Sequence, residues 1–302
     1  MKRVIVTGAT GFIGRHALAP LADRGFEVHA VSTRPRADHA ARVTWQQADL
    51  LHPADVARLM DAVRPTHLLH FAWFAVPGQF WTSPENLGWV QASIELVRAF
   101  DAAGGGRVVA AGSCAEYGAC GTDCDERHTV LAPATLYGGC KHAFHVVLER
   151  FAEGRFSAAW GRIFHLYGPG EHPDRLVPSV VRALLDGRPA LCTAGTQIRD
   201  FLHVADVAAA FVHLLDGSVC GPVNVASGDR VSVADVVTGI GRLLDRESLI
   251  ELGARPTPAH DPPRLTADIC RLRDEVGWLP SISLDRGLSQ TIDWWRARTP
   301  RS

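Results

Sequence analysis

The sequence predicts an α/β protein: a doubly wound parallel sheet with a smaller lobe built mostly from the C-terminal part of the chain. Three observations carry this. Short apolar runs rich in β-branched residues alternate with segments of helical apolar spacing through the first half, the pattern of a parallel sheet covered on both faces. A glycine turn joins the first such run to the first helical segment. After Tyr167 the alternation breaks at Gly168-Pro169-Gly170, where a second part begins. The 302 residues allow one large domain or a domain with a lobe. A hydrophobic fraction of 47% is ample for a core, and 21% charge is ordinary for a soluble protein.

Val4-Ile5-Val6 reads as a buried strand, followed by Gly8, Gly11 and Gly14. Phe12, Ile13, His16, Ala17 and Leu18 then fall at helical spacing. Strand, glycine turn and helix are the parts of a Rossmann-type dinucleotide site. Gly8 permits the tight turn, Gly11 lets backbone approach a pyrophosphate, and Gly14 lets the helix pack on the strand. Thr10, Phe12 and Ile13 line the same turn, and the helix N-terminus presents free N–H groups to phosphates.

Residues 26–32 form a second strand. An acidic residue at its carboxyl end would select NAD. Ser32-Thr33-Arg34-Pro35-Arg36 stands there instead. Ser32 can donate to a 2′-phosphate, and Arg34 or Arg36 can neutralise it, so NADP(H) is favoured, with NAD(H) the alternative. Val43–Gln46 is a third strand, Pro53–Val63 a helix and 67–72 a fourth strand. Asp49, between strand and helix, is a candidate helix cap. An aromatic loop follows (Trp73, Phe74, Phe80, Trp81), fit either for a ligand wall or for a hydrophobic plug. Asn86–Phe100 is a helix and Arg107–Gly112 the fifth strand. Residues just past position 112 are where chemistry is expected, because ligands of such sheets sit at the carboxyl ends of the strands.

There Ser113 stands at the strand end. Tyr137 and Lys141, four apart, project from one face of the next helix, which runs to about Phe151. A free Tyr has a pKa of about 10, and an ammonium one turn away is expected to lower it. Ser113 can donate to a substrate oxygen. Residues 157–167 form the sixth strand and its exit. The seven cysteines lack a secretory context and are expected to be reduced thiols; Cys114, Cys120 and Cys124 cluster, but no C-x2-C pair suggests zinc, and no metal is expected.

T-G-x-x-G-x-x-G at the start, with Ser113 and Tyr137-x3-Lys141, resembles the short-chain dehydrogenase/reductase superfamily, in particular its extended branch acting on nucleotide sugars. The resemblance runs along essentially the whole chain. It implies that Ser113, Tyr137 and Lys141 are catalytic, with Lys141 also on the nicotinamide ribose. It puts Asp49 and Leu50 near the adenine and Phe71-Ala72 beside the pyrophosphate and ribose. Arg162-Ile163-Phe164-His165-Leu166-Tyr167-Gly168-Pro169 resembles the family's Arg-x-x-Asn-x-Tyr-Gly-Pro, with His165 at the Asn place. Arg199 in Ile198-Arg199-Asp200-Phe201 corresponds to an Arg that reaches a nucleotide diphosphate, or is half of an Arg–Asp structural pair. Arg255 and Arg264 are weaker phosphate candidates, and Trp73 a candidate substrate contact.

The resemblance further implies a Rossmann domain over 1–166 plus about 199–226, and a substrate lobe over about 167–198 and 227–302. Family dehydratases carry an acidic pair directly after the catalytic Ser or Thr, where this chain has Cys114 and Ala115. Enzymes resembling GDP-fucose synthase use a Cys and a His where Ala115 and Arg175 stand. Reduction of an NDP-4-keto-6-deoxysugar is therefore expected. An NAD-dependent 4-epimerase is the alternative, and a non-catalytic dinucleotide sensor is an alternative of another class. A net charge of −1 without a Lys/Arg run gives no support for nucleic-acid or membrane binding. No apolar run reaches the ~18 residues of a membrane span. Lys2-Arg3 before a three-residue apolar run is too short for a signal peptide. A cytoplasmic homodimer acting on a nucleotide sugar is the expectation.

Overall fold

A computed structural model describes residues 2–36, 42–258 and 261–298. In chain order the elements are β1 (Arg3–Thr7), α1 (Gly14–Asp23), β2 (Glu27–Ser32), β3 (Val43–Gln47), α2 (Pro53–Val63), β4 (His67–His70), α3 (Glu85–Ala102), β5 (Arg107–Ser113), α4 (Leu136–Ala152), β6 (Ser157–Ile163) and β7 (His165–Tyr167). They continue as α5 (Leu176–Leu185), β8 (Ala190–Leu191), β9 (Ile198–Arg199), β10 (Phe201–His203), α6 (Val204–Asp216), β11 (Gly221–Val225), β12 (Val231–Ser232), α7 (Val233–Leu243), β13 (Ile250–Glu251), β14 (Arg264–Leu265) and α8 (Leu284–Arg296).

Seven parallel strands form the main sheet in the order β11-β6-β5-β4-β1-β2-β3. The chain winds outward from β1 in both directions, so the switch point lies between β1 and β4, where a doubly wound sheet opens a crevice at its carboxyl edge. Burial explains the strands. Val4, Val6, Val28 and Val109 face one core with Ala17, Leu21, Phe211 and Leu215 of α1 and α6. Ile5, Leu68, Val108 and Ala110 face the other, with Leu59, Leu96, Phe144 and Leu148 of α2, α3 and α4. Helix α2 begins with Pro53 at a first-turn position and ends on Arg64 in the left-handed conformation, φ 46°. A further core gathers Val177, Val181 and Leu184 of α5 with Val237 and Ile240 of α7 and Leu288 of α8.

Two expectations are corrected. The run 157–167 is two strands: the backbone changes partner at Phe164, whose N–H goes to Val225 of β11, while His165 donates to Asp200 and β7 pairs with β10 outside the main sheet. The cysteines are not all thiols, since Cys120 and Cys124 form a disulfide. Cys124 is fixed by N–H donation to the Thr266 carbonyl and by accepting from Asp268 N–H. No described helix is long and apolar enough to cross a membrane.

Candidate active site

The glycine turn has the geometry a dinucleotide requires. Gly8 sits at φ +64°, and a Cβ there would meet Ala72 N at 2.8 Å. A Cβ on Gly14 would lie 2.2 Å from the Gly8 carbonyl, so α1 can start this close to the turn only with glycine. The first turn of α1 carries no side-chain cap and no acidic residue, which leaves its end positive. Thr10 and Gly11 are exposed, Phe12 and Ile13 half-buried. These donors and this cradle fit a dinucleotide pyrophosphate.

The exits of β1 and β4 are stitched together. Phe71 N–H donates to the Thr7 carbonyl at 3.3 Å, Ala72 N–H to Thr7 Oγ1 at 3.3 Å, and Thr7 Oγ1 meets His70 Nδ1 at 2.7 Å. Phe71 and Ala72 therefore border the turn. Burial takes His70 down to about 3, so it is a neutral spacer. Ser32, buried at the end of β2, accepts from Arg34 N–H at 3.2 Å, and the Arg34 side chain is exposed. Arg36 lies over the Trp45 ring, 4.6 Å from its centroid. Asp49 does not cap α2, whose N-cap His52 makes no side-chain capping bond and instead sets its Nδ1 3.2 Å from the Asp49 carboxylate. Its carboxylate turns back to Leu51 N–H at 3.0 Å, while Leu50 is buried.

Ser113 and Tyr137 meet at the carboxyl end of β5. Ser113 Oγ accepts from Ala115 N–H at 3.2 Å as the cap of a short helical turn, which leaves its own proton free to donate. A hydrogen bond from Ser113 and the charge of Arg175 favour the Tyr137 phenolate, but burial outweighs them, with Cys114 and Glu116 adding to it, and the phenol is pushed up to about 12. Helix α4 starts on Thr135, which accepts from Gly138 N–H at 3.1 Å, and Tyr137 N–H donates to the Trp81 carbonyl at 3.1 Å. Phe80 and Trp81 pack edge-on against the Tyr137 ring, at 4.8 and 5.8 Å between centroids. Phe80 is thus a plug, and Trp81, 42% exposed, is left facing outward.

Lys141 is on the expected helix face, but its expected effect on Tyr137 is corrected. The buried ammonium donates to the Ala111 carbonyl at 2.8 Å and sits 3.8 Å from the centroid of the Trp73 ring, against 6.0 Å for Tyr137. Burial lowers it to about 7, with Glu116 opposing. Trp73 is held there by its indole N–H on Asn86 Oδ1 at 2.9 Å. A stability test follows. The folded pKa lies below the free value, so the unfolded chain binds the extra proton between about pH 7 and 10.5, and the stability contribution of Lys141 rises with pH across that window. Chemical denaturation of Lys141→Met is expected to lack this rise, with its stability relative to the parent greatest below pH 7. A parallel pH dependence in both proteins would contradict a depressed Lys141.

Beneath Ser113 lies a residue that the spacing arguments missed. Glu116 is fully buried, accepting from Ser113 N–H at 2.8 Å, from Trp160 Nε1 at 2.9 Å and from Arg162 Nε at 3.1 Å. Arg162 also donates to Tyr117 Oη at 3.1 Å, which donates to Asn224 at 2.8 Å. The signal was in the sequence: Ser113-x-x-Glu116 has the capping-box pattern, and the structure forms that box. His142 and His145 bring ring nitrogens within 4.8 Å of this carboxylate, but Arg162 already stands against it as the cation.

At the start of β7, His165 has a buried Nδ1 without a partner, and burial beside Arg199 and Arg175 lowers the ring to about 3. Arg199 is buried and paired with Asp261, whose other oxygen accepts from Gln197 at 3.0 Å. Asp200 instead takes Ser227 N–H and Oγ, each at 2.7 Å, and Gly228 N–H at 2.8 Å. Arg175, half-exposed at the start of α5, lies over the Phe80 ring at 5.7 Å. His165, Arg175, Arg199 and Tyr137 thus come together. Arg255 does not join them: it is exposed and meets Cys192 through its backbone N–H at 3.0 Å. Arg264 is turned to Asp123 and Thr266.

A glycine cradle at the switch point, with Ser, Tyr and Lys at the end of β5, can be set beside known proteins. Residues 4–226 match the NAD dependent epimerase/dehydratase family. The chain belongs to this family. Among its relatives, a dTDP-4-dehydro-6-deoxy-D-allose reductase of Streptomyces sp is 30% identical, covering 98% of this chain and 96% of the relative. A UDP-glucose 4-epimerase of Rhizobium leguminosarum bv. trifolii is 28% identical over 97% of both chains. The solved UDP-glucose 4-epimerase of Thermus thermophilus, in complex with NAD, superposes with a TM-score of 0.85 at 26% identity, over 98% of this chain and all of that one. The protein is accordingly an enzyme of the NAD-dependent sugar-nucleotide epimerase, dehydratase and reductase class.

Proposed function

We propose that this enzyme reduces a keto group, at carbon 4, of a nucleotide-linked deoxysugar with NADP(H). The observation that carries the reading is a Ser113–Tyr137–Lys141 set with no free acid–base pair beside it. Burial pushes the Cys114 thiol up to about 12, Ala115 has nothing to titrate, and the Glu116 carboxylate is taken up by Arg162, Trp160 and Ser113 N–H. Elimination of water needs such a pair.

When bound, the dinucleotide supplies hydride. The chain does the rest. Ser113 Oγ–H orients the carbonyl oxygen. Tyr137, protonated throughout the neutral range, gives that oxygen its proton, and Ser113 and Arg175 stabilise the phenolate left behind. Lys141 holds the ribose. Ser32 and Arg34 take the 2′-phosphate, and Gly8, Thr10, Gly11, Phe12, Ile13, Gly14, Asp49, Leu50, Phe71 and Ala72 form the remainder of the dinucleotide bed. Arg199 and His165 face the nucleotide diphosphate and the sugar, and Trp73, against Lys141, is a further substrate contact. A homodimer through α3 and α4 suits the exposed Leu87, Val146 and Val147.

The epimerase reading is favoured by one finding, that similar epimerases and dehydratases are seen with NAD. Cofactor content separates the two. Freshly purified protein is expected to carry no stoichiometric nucleotide and to bind added NADPH more tightly than NADH. NAD retained through purification would favour the epimerase.

A further inference from the structure

The first turn of α1 grips the loop that follows β7. Arg15, directly after the last glycine of the turn, donates from Nε to the Gly11 carbonyl at 3.0 Å and from Nη2 to the Gly170 carbonyl at 3.3 Å. Arg15 N–H reaches the same Gly11 carbonyl at 3.4 Å. The loop is closed on itself by Glu171 N–H to the Gly168 carbonyl at 3.3 Å. Gly170 has φ +85°, and a Cβ there would lie 2.7 Å from Arg15 Nη1 and 3.2 Å from Cζ. The guanidinium therefore occupies the space a Cβ would take, and the positive φ of Gly170 independently favours glycine there.

The glycine turn leaves the carboxyl end of β1, where the main sheet opens, and the 168–171 loop leaves β7, which continues from β6 outside that sheet. A carbonyl oxygen facing a pyrophosphate repels it. Two donors from Arg15 hold the Gly11 oxygen toward α1 instead, and they bring a fixed positive charge to a helix end that is already positive. We infer that Arg15 is a positioning residue of the dinucleotide cleft, clasping the glycine turn to the 168–171 loop, with Gly170 as its seat. This rests on the reading that the glycine turn binds a dinucleotide.

The test is fluorescence titration of NADPH and NADH into the unaltered protein, Arg15→Ala, Arg15→Lys, Gly170→Ala and the Arg15→Ala/Gly170→Ala double variant, each checked for a cooperative thermal transition. Arg15→Ala and Gly170→Ala are each expected to weaken binding by about tenfold, a typical size for coupled neighbours. The double variant is expected to be no weaker than the poorer single variant, because the two changes break one contact. Arg15→Lys keeps the charge but cannot form the two-point grip, so it recovers only part. Should Gly170→Ala fail to fold at its positive φ, the Arg15 pair still decides. Unchanged affinity in Arg15→Ala, full recovery in Arg15→Lys, or additive losses in the double variant overturn the clasp while leaving dinucleotide binding intact. No binding to the unaltered protein overturns the dinucleotide reading and the clasp with it.

Discussion

Tyr137→Phe is expected to lower kcat by about a hundredfold to ten-thousandfold, the range for losing a positioned general acid, with the Kd for NADPH within about twofold of the parent. The ring would keep its place: Phe80 and Trp81 pack on it edge-on, and Tyr137 is anchored through its backbone to Trp81. Only the hydroxyl is lost, and with it the proton that burial keeps on the phenol through the neutral range. Steady-state turnover and dinucleotide titration on the same preparation read the two quantities separately. Parent-like turnover would remove Tyr137 from the chemistry.

The second large effect is on stability. Glu116→Ala is expected to cost about 3–5 kcal/mol, the size of breaking one side of a buried ion pair, and so to lower the Tm by roughly 10 °C. The change strands the Arg162 guanidinium, Trp160 Nε1 and Ser113 N–H together. Since the same carboxylate fixes the Ser113 backbone, kcat should fall as well. Glu116→Leu combined with Arg162→Met removes both charges and should recover part of the lost stability, because an apolar pair leaves no uncompensated ion. Thermal unfolding of the three proteins checks this. A double variant less stable than Glu116→Ala would show that the network is more than a charge pair.

Much of this molecule was legible in its sequence, for reasons that differ by element. The bounds of α2 were readable because Pro53 is suited to a first turn and apolar spacing ends at Val63. The glycine turn was readable because strand and helix flank it on the correct sides. Helical spacing put Tyr137 and Lys141 on one face, but it carries no information on burial. That is why Lys141 was assigned to Tyr137 while its ammonium goes to the Ala111 carbonyl and the Trp73 face. The split of 157–167 into β6 and β7 was not legible, since it depends on β10 offering a partner from elsewhere in the chain. The disulfide escaped for the same kind of reason, because Cys124 is fixed by Thr266 and Asp268. Arg175 was legible only as a departure from a His position, and only the meeting of α5 with the aromatic loop sets it over Phe80 and near Tyr137. The Arg199–Asp261 pair likewise needed the fold, because the sequence offered Asp200 as the nearer partner.

The most direct measurement of the proposed reduction is NADPH oxidation with an NDP-4-keto-6-deoxyhexose under single-addition conditions, with the product's carbon 4 examined after use of NADPH deuterated at the transferred position. The expected result is one NADPH consumed per sugar and one deuterium at carbon 4. Inversion at carbon 4 of an NDP-hexose without net NADPH consumption, and with NAD retained by the protein, would contradict it.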